Sequence, residues 1–306
     1  MFHEPVLVEE VLHYLVSDPN GVYLDLTVGG GGHARALLER LSPKARLIGV
    51  DRDREALEAA GRRLKQFGVR VTLRQSNFRE FVRVLQELDV ERVHGLLLDL
   101  GVSSHQIDAP GRGFSYSADG ALDMRMDRSQ PLTAADIVNT YSEAELARLF
   151  RDFGEERKAR QVARAIVMER KKRRIATTGA LAQVVGSRFP PEQRVKSLAR
   201  VFQALRIAVN DELSSLAVTL ERALASLYPG GRLVVISYHS LEDRLVKDFF
   251  REQARDCVCP PHVPVCVCGH QARLSILTRR VVRPTPAEVA RNPRSRSARL
   301  RAAEAL

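Results

Sequence analysis

The sequence predicts an α/β fold in which a parallel sheet is covered by helices on both faces and is interrupted by an inserted all-helical domain. Three observations predict this class. Short apolar runs alternate with helical patterns over the first hundred residues, a stretch without strand patterns follows from about 131 to 198, and a strand pattern returns at 232–237. The chain has 306 residues, of which 44% are hydrophobic and 28% charged, and this length suits about two domains. We expect a discontinuous sheet domain at 1–105 and 200–306, with the inserted domain at 106–199.

Each element is predicted from its periodicity and from the residues at its ends. Strands are predicted at 21–27, 46–51, 69–73, 93–100 and 232–237, with helices at 33–41, 54–64, 78–88 and 241–254. Within the insert, helices are predicted at 134–140, 142–150, 157–173, 178–185 and 191–194, and Ser142 with Glu145 has the pattern of a capping box. A long amphipathic helix at 202–227, a final strand pair within 274–282 and a mobile arginine-rich tail from Arg291 complete the prediction.

Composition limits the location and the partners of the protein. No apolar run approaches the ~20 residues that span a bilayer, and the first residues lack the order of a signal peptide. We therefore expect a cytoplasmic protein without membrane contact. The net charge of +11, from 48 basic and 37 acidic residues, suits a polyanionic partner because Lys and Arg neutralise phosphates.

A glycine-rich loop, Gly29–Gly32, follows the first predicted strand and opens the helix that starts at His33. Glycines there allow close approach of the backbone to a ligand, and a helix N-terminus offers free N–H donors. Gly29, Gly31 and Ala34 fit the dinucleotide fingerprint, and Asp51, about twenty residues on, can accept bonds from ribose hydroxyls. This pattern alone leaves a nicotinamide dinucleotide and S-adenosylmethionine open as cofactors.

Three features favour S-adenosylmethionine. Asp25 ends the first strand, where a carboxylate attracts a cationic amine and repels a pyrophosphate. Phe78 follows the third strand with Ser76 and Asn77, where an adenine can stack, although a plain core aromatic is the simpler interpretation of that residue alone. Asp99 ends the fourth strand, at the carboxyl edge where such sheets bind ligands.

Longer motifs resemble the bacterial ribosomal RNA small-subunit methyltransferase H family, RsmH or MraW. The matching stretches run along nearly the whole chain and include 3–7, 27–33, 49–53, 97–104, 112–115, 122–127, 154–157, 202–207, 237–244 and 292–297. Several are long and compositionally unusual, so chance does not explain them.

The resemblance implies a Rossmann-like class I methyltransferase sheet and N4-methylation of one cytidine in the decoding region of 16S ribosomal RNA. It implies that the inserted domain recognises RNA and that the partner is 16S rRNA or the small ribosomal subunit; no protein partner is indicated. From the residues and the resemblance together, the predicted donor-binding set is Asp25, Gly29, Gly31, Gly32, His33, Asp51, Phe78, Asp99 and Gln106, of which His33 and Gln106 rest on the resemblance alone.

The chemistry of an N4 amine narrows the catalytic candidates. Its lone pair is delocalised into the ring, so an acceptor for an N4 hydrogen would help to free it. The candidates for holding the base are Asp99, Ser103, Asn210 and His239. Many amino-methyltransferases place an acid or amide, two prolines and an aromatic after strand four, and this chain departs from that pattern with Asp99–Val102. Methylation at carbon-5 would need a Cys nucleophile, and no Cys lies near strands four or five.

Basic residues cluster in the insert and form a predicted RNA-binding face. They are Arg157, Lys158, Arg160, Arg164, Lys171, Lys172, Arg173 and Arg174. Cations at a helix C-terminus also suit the helix dipole, which is the alternative explanation for the second half of this set.

The four cysteines, Cys257, Cys259, Cys266 and Cys268, form a symmetric cluster. Four thiolates can hold a tetrahedral zinc ion, but each pair is separated by one residue instead of the commoner two. Reduced loop cysteines are the alternative, and a reducing cytoplasm disfavours disulfides. For the chain as a whole, an NAD-binding oxidoreductase and a non-catalytic ribosome-binding factor remain the alternatives to a methyltransferase.

Overall fold

The computed structural model of the protein describes residues 5–259, 265 and 267–306. Contacts between Cα atoms separate Val102–Leu213 from the rest of the described chain, so the molecule consists of two compact units. The bounds expected for the insert, 106 and 199, lie inside Val102–Leu213. We call this segment the helical unit, and the remainder the sheet unit.

In its described residues, the sheet unit has seven strands in the order β3-β2-β1-β4-β5-β7-β6. Their bounds are β1 Val22–Asp25, β2 Arg46–Asp51, β3 Val71–Gln75, β4 Val93–Asp99, β5 Leu227–Ser237, β6 Leu274–Ile276 and β7 Arg299–Ala305. Strands β1 to β5 pair in parallel, whereas β7 runs antiparallel to both β5 and β6. The predicted α/β class with a Rossmann-like parallel sheet is confirmed.

Thirteen α-helices lie in the described residues. They are α1 Val8–Leu15, α2 Gly32–Arg40, α3 Arg54–Leu64, α4 Phe81–Glu87, α5 Ser104–Asp108, α6 Ala134–Thr140, α7 Glu143–Asp152, α8 Ala159–Arg170, α9 Thr178–Gly186, α10 Pro191–Asn210, α11 Glu212–Ala223, α12 Ser240–Gln253 and α13 Pro286–Arg291. None of these helices is long and apolar enough to cross a bilayer.

Apolar layers cover both faces of the sheet. Along β4, Leu96 and Leu98 belong to one buried cluster, whereas the intervening Leu97 belongs to the other. Side chains alternate between the two faces of a strand, so a strand that is apolar at every position has to be covered on both sides. This arrangement is the physical reason for the nearly continuous apolar run in the sequence.

The C-terminal segment differs from the prediction of a mobile tail. Its residues 299–305 form β7, in which Leu300 and Ala302 are fully buried. Arg301 Nε lies 2.6 Å from Asp243 Oδ1 on α12, and Arg299 Nη1 lies 3.2 Å from the same carboxylate. These two ion pairs therefore attach β7 to α12. Because the segment is rich in arginine, its alternating apolar residues did not predict a strand.

Two further predictions in the second half were wrong. Of the strand pair expected within 274–282, the structure contains β6, which pairs with β7, and an isolated bridge between Val282 and Leu300. The helix expected at 202–227 is broken at Asp211, whose left-handed φ of 48° ends α10. Helix α10 begins as early as Pro191, so the short helix expected at 191–194 is its first turn. Helix α1 was not predicted.

The helical unit has its own hydrophobic core. Ile137, Phe150, Val162 and Val201 are all fully buried within it. The capping box predicted at Ser142 is confirmed, because the Ser142 hydroxyl accepts a hydrogen bond from the Glu145 amide and the Glu145 side chain accepts one from the Ser142 amide.

Candidate methyl-donor site

Three carboxylates end three neighbouring strands of the sheet. Asp25, Asp51 and Asp99 are the last residues of β1, β2 and β4, and β1 pairs in parallel with both of the others. The carboxyl ends of parallel strands lie at one edge, which is where α/β sheets bind their ligands. We call these three residues the carboxylate edge.

Asp25 is the most buried member of the carboxylate edge, with 2% of its surface exposed. Burial raises its pKa to about 7, and the negative charges of Asp99 and Asp51 act in the same direction. His33 and the Thr27 amide, which donates to Asp25 Oδ1 at 3.1 Å, lower the pKa of Asp25 but do not cancel the effect of burial. A bound cation would stabilise the ionised form of this carboxyl group.

Asp51 holds the glycine-rich loop in place. Its Oδ2 accepts a hydrogen bond from the Gly29 amide and its Oδ1 accepts one from the Asp53 amide, both at 2.9 Å. Burial raises the pKa of Asp51. The contact predicted between Asp51 and a ribose remains a prediction.

The structure explains in different ways why glycine is required at individual positions of the loop. Gly31 ends the loop with a φ of +77°, and an added Cβ would lie 3.3 Å from Ala60 on α3. At Gly32 a Cβ would lie 3.0 Å from Pro5. Packing inside the chain thus accounts for both residues, and the predicted approach to a ligand is not needed to explain them. Gly29, with a φ of +50°, has only Thr27 O within 4 Å of such a Cβ, at 3.8 Å.

His33 is buried at the start of α2 and links the N-terminal segment to the carboxylate edge. Its Nε2 lies 2.8 Å from the Val6 carbonyl, which can only accept, so Nε2 carries a proton. Its Nδ1 lies 3.5 Å from Asp99 Oδ2.

Tyr238 is a site residue that the sequence analysis missed. Its hydroxyl donates to Asp99 Oδ1 at 3.0 Å, and burial together with the Asp99 charge raises the pKa of Tyr238 well above its ordinary value. The Asp99 amide donates to Thr27 Oγ1 at 2.6 Å, so the end of β4 is held from two sides. Residues that follow β5 reach Asp99 because β5 pairs with β4 and Asp99 stands opposite Ile236. The sequence already predicted that the fifth strand ends at this edge, and of the residues that follow it only His239 was predicted to belong to the site.

His239 caps the N-terminus of α12. Its Nδ1 accepts from the Glu242 amide at 3.4 Å, and Glu242 Oε2 accepts from the amide of Tyr238 at 2.9 Å. The capping box therefore fixes the position of the backbone at Tyr238. A direct role of His239 in the reaction remains a prediction.

Phe78 is 8% exposed and belongs to the hydrophobic core. The guanidinium carbon of Arg52 lies 5.4 Å from the centre of its ring. This environment matches the simpler interpretation of Phe78 as a core aromatic, and stacking of an adenine on it remains a prediction.

The other predicted site residues lie in the helical unit. Ser103 and Gln106 bond reciprocally at the start of α5, because the Ser103 amide donates to Gln106 Oε1 at 3.0 Å and the Gln106 amide donates to Ser103 Oγ at 3.2 Å. Asn210 accepts from the Met126 amide at 2.9 Å and donates to the Met124 carbonyl at 2.8 Å. These bonds give all three residues a structural role, and their predicted roles toward donor and base remain predictions.

All eight predicted RNA-binding cations are exposed on the helical unit. Arg174 pairs with Asp136, Lys172 and Arg173 pair with Glu169, and Lys158 lies over the ring of Phe189. The cations for which the described part of the chain offers no ion-pair partner are Arg157, Lys158, Arg160, Arg164 and Lys171.

Three of the four cysteines lie in described residues. The sulfur atoms of Cys257, Cys259 and Cys268 are all within 4.8 Å of one another. Cys266 lies outside the described residues.

The parallel sheet and its carboxylate edge are compatible with a Rossmann-like methyltransferase. The chain belongs to the MraW methylase family, which matches residues 1–306. The resemblance found in the sequence is thereby confirmed, and the methyl donor is S-adenosylmethionine. The buried Asp25 fits this donor because its carboxyl group would be neutralised by the donor's positive charge.

Similar proteins carry a more specific name. The chain is 53% identical to "Ribosomal RNA small subunit methyltransferase H" of Syntrophotalea carbinolica, over 99% of this chain and 98% of that protein. It is 52% identical to the protein of the same name from Symbiobacterium thermophilum, over 98% and 95% of the two chains. The relative of that name from Geobacter sulfurreducens is 54% identical, over 99% of each chain.

Proposed function

We propose that this methyltransferase transfers a methyl group from S-adenosylmethionine to N4 of a cytidine in the decoding region of 16S ribosomal RNA. The assignment of S-adenosylmethionine as the donor is supported by one structural observation, the carboxylate edge. The RNA half is supported by the names of relatives that are about half identical over nearly their whole length. The choice of N4 and of the decoding region follows from the sequence resemblance.

The carboxylate edge favours a cationic donor over a dinucleotide. Asp25, Asp51 and Asp99 place three acidic groups at the strand ends, and a pyrophosphate there would add like charges at short range. We assign Asp25 to the cationic amine of the donor and Asp51 to the ribose hydroxyls, since both carboxylates lie beside the glycine-rich loop. Asp51 suits the ribose of either cofactor, so the distinction between the two rests on Asp25 and Asp99, to which a dinucleotide brings no cationic amine.

Asp99 is our candidate for the acceptor that orients the N4 amine. When bound, S-adenosylmethionine supplies an electrophilic methyl group, so the chain itself has to align the amine and exclude water. Tyr238 fixes one oxygen of Asp99 and His33 faces the other, which restricts the rotation of the carboxylate. A carboxylate that accepts an N4 hydrogen increases the availability of the nitrogen lone pair and can take the proton afterwards.

The helical unit would bind the RNA backbone. Arg160 and Arg164 lie four residues apart and therefore on one face of α8, with Arg157 and Lys171 beyond its two ends. Arginines without a protein partner keep their donors available for phosphate, which they can bind in a bidentate manner.

Nucleoside mass mapping tests the proposal. The purified chain is incubated with isotopically methyl-labelled S-adenosylmethionine and with small subunits or 16S rRNA that lack the modification. We expect the label in N4-methylcytidine at one position in the decoding region, and its loss in the Asp99→Asn variant. Label in 5-methylcytidine would contradict the N4 assignment. Absence of transfer to free RNA and to subunits, by a protein that binds them, would favour the non-catalytic ribosome-binding factor.

A further inference from the structure

The segment that joins α12 to β6 contains all four cysteines of the sequence. Its ends are fixed by backbone and side-chain hydrogen bonds, in which the Arg273 amide donates to the Gln253 carbonyl at 2.8 Å and the Ala272 amide donates to Asp256 Oδ1 at 3.4 Å. Between these ends, Cys257 Sγ and Cys268 Sγ lie 3.8 Å apart, and Cys259 Sγ is within 4.8 Å of both. The sequence contains no cysteine outside this loop.

We propose that Cys257, Cys259 and Cys268 bind a zinc ion that staples this loop. With Zn–S bonds of about 2.3 Å and tetrahedral angles, two thiolate ligands lie about 3.8 Å apart. The distance between Cys257 Sγ and Cys268 Sγ agrees with that spacing, and Cys259 Sγ has to move by at most about 1 Å to reach the same spacing. A disulfide requires sulfur atoms about 2.05 Å apart, so the arrangement is one of converging thiols.

Local backbone geometry fixes the position of one sulfur atom. The Cys259 amide donates to Cys257 Sγ at 3.4 Å. Gly269, directly after Cys268, has a φ of +60°, which lets the chain turn sharply behind the third sulfur. Thiolate is the form that binds zinc.

The role of the ion is structural. Among the described residues around the sulfur atoms, Cys257, Cys268 and Val267 are exposed, so they contribute no buried apolar surface. A metal ion held by residues from both ends of such a segment adds its binding free energy to the folded state. The site does not depend on the proposed RNA specificity, and its test does not use methyl transfer.

Metal analysis with cobalt replacement tests the site. The untagged chain is purified under reducing conditions, and its zinc content is measured before and after exchange for Co²⁺. We expect about one zinc per chain, and, after exchange, intense visible bands of tetrahedral cobalt with a sulfur-to-cobalt charge-transfer band. Because all cysteines lie in this loop, such a band can arise only here, and its intensity counts the thiolates.

Variants separate binding in the loop from adventitious metal. The double variant Cys257→Ser/Cys268→Ser should retain less than about a tenth of the zinc and show no charge-transfer band, with circular dichroism confirming that it is folded. Val267→Ser adds a hydroxyl to the same loop and should keep the ion. Wild-type chain that carries no zinc after growth in zinc-supplemented medium, or zinc that survives the double substitution, would overturn the proposal, as would a Cys257–Cys268 disulfide in protein taken directly from reducing lysate.

Discussion

At the scale of single residues, the charge state of Asp25 connects donor binding to pH. The pKa of Asp25 is about 7 because the carboxyl group is buried, whereas an unfolded chain would have its ordinary value of 3.8. Between pH 3.8 and about pH 7, Asp25 is therefore mostly protonated in the folded chain and mostly ionised in the unfolded chain. A cationic donor has to displace that proton, so acidification and donor binding oppose each other.

Donor affinity is expected to depend on pH. Below about pH 7 the affinity for S-adenosylmethionine should fall by up to tenfold for each pH unit, because binding then includes loss of the Asp25 proton. Calorimetric titration between pH 5.5 and 8.5, in about five steps, measures this. A dissociation constant that stays flat through neutrality would contradict the assignment of Asp25 to the donor's cation.

Replacement of Asp25 by asparagine should separate stability from function. The folded chain binds the Asp25 proton more tightly than the unfolded chain, so stability from this group is present at low pH and is lost as the pH rises through about 7. Asp25→Asn mimics the protonated form and should raise the melting temperature of the free protein at pH 8 while weakening donor binding at least tenfold. An unchanged affinity at pH 8 would remove Asp25 from the site.

Tyr238 is expected to act as a positioning residue for Asp99. Tyr238→Phe removes the hydrogen bond to Asp99 Oδ1 and should lower kcat about tenfold or more, with little change in the dissociation constant of the donor. Tyr228→Phe is the matched control, because Tyr228 is 41% exposed and stacks on His94. Loss of activity accompanied by equal loss of donor binding would indicate a general disturbance of the edge instead.

At the scale of elements, the arginines of β7 and of α8 lie in two different environments. In β7, Arg299 and Arg301 pair with Asp243 and fasten a buried strand. On α8, Arg160 and Arg164 point to solvent without an acidic partner in the described residues. Composition alone makes both segments look like basic surface.

Truncation tests the contribution of β7 to the fold. A chain that ends after Ser297 loses the antiparallel partner of β5 and exposes the side of the sheet on which Leu300 and Ala302 are buried. We expect loss of the cooperative melting transition or aggregation on expression. Removal of Leu306 alone, which is 65% exposed, should leave the melting temperature within about 2 °C. A truncated chain that melts like the full chain would restore the interpretation of a dispensable tail.

The cations of α8 should contribute to the salt dependence of RNA binding. Arg160→Gln/Arg164→Gln should reduce the slope of log affinity against log salt by about 1.5, because each lost phosphate contact removes ~0.7–0.9. Arg151→Gln, which replaces an exposed arginine already paired with Asp152 at 2.8 Å, should leave the slope unchanged. Equal slopes for all three proteins would place the RNA-binding surface elsewhere.

At the scale of the whole molecule, local features were predictable and non-local ones were not. The alternation of β1 to β5 with helices, the glycine-rich loop and the strand-end aspartates depend on contiguous residues, and they were predicted. The contact of Tyr238 with Asp99 depends on pairing between strands that are over a hundred residues apart in sequence. The packing of Gly31 against Ala60 and the burial of β7 also depend on tertiary neighbours, which periodicity does not reveal.

The same distinction applies to the break at Asp211. Apolar periodicity continues across this residue, so the sequence predicts one helix, but the left-handed φ of 48° at Asp211 separates α10 from α11. Aspartate adopts this conformation more often than most non-glycine residues, but still in only a small fraction of cases, so Asp211 gives only a weak signal in the sequence.

The central claim, that the carboxylate edge receives a cationic methyl donor, is tested most directly by competitive calorimetry. The purified chain at pH 8 is titrated with S-adenosylmethionine in the absence and presence of millimolar NADH, with NADH titrated alone as the reference. We predict one equivalent of bound S-adenosylmethionine, an affinity that NADH does not change, and no heat from NADH itself. Saturable binding of NADH that blocks S-adenosylmethionine would contradict the account.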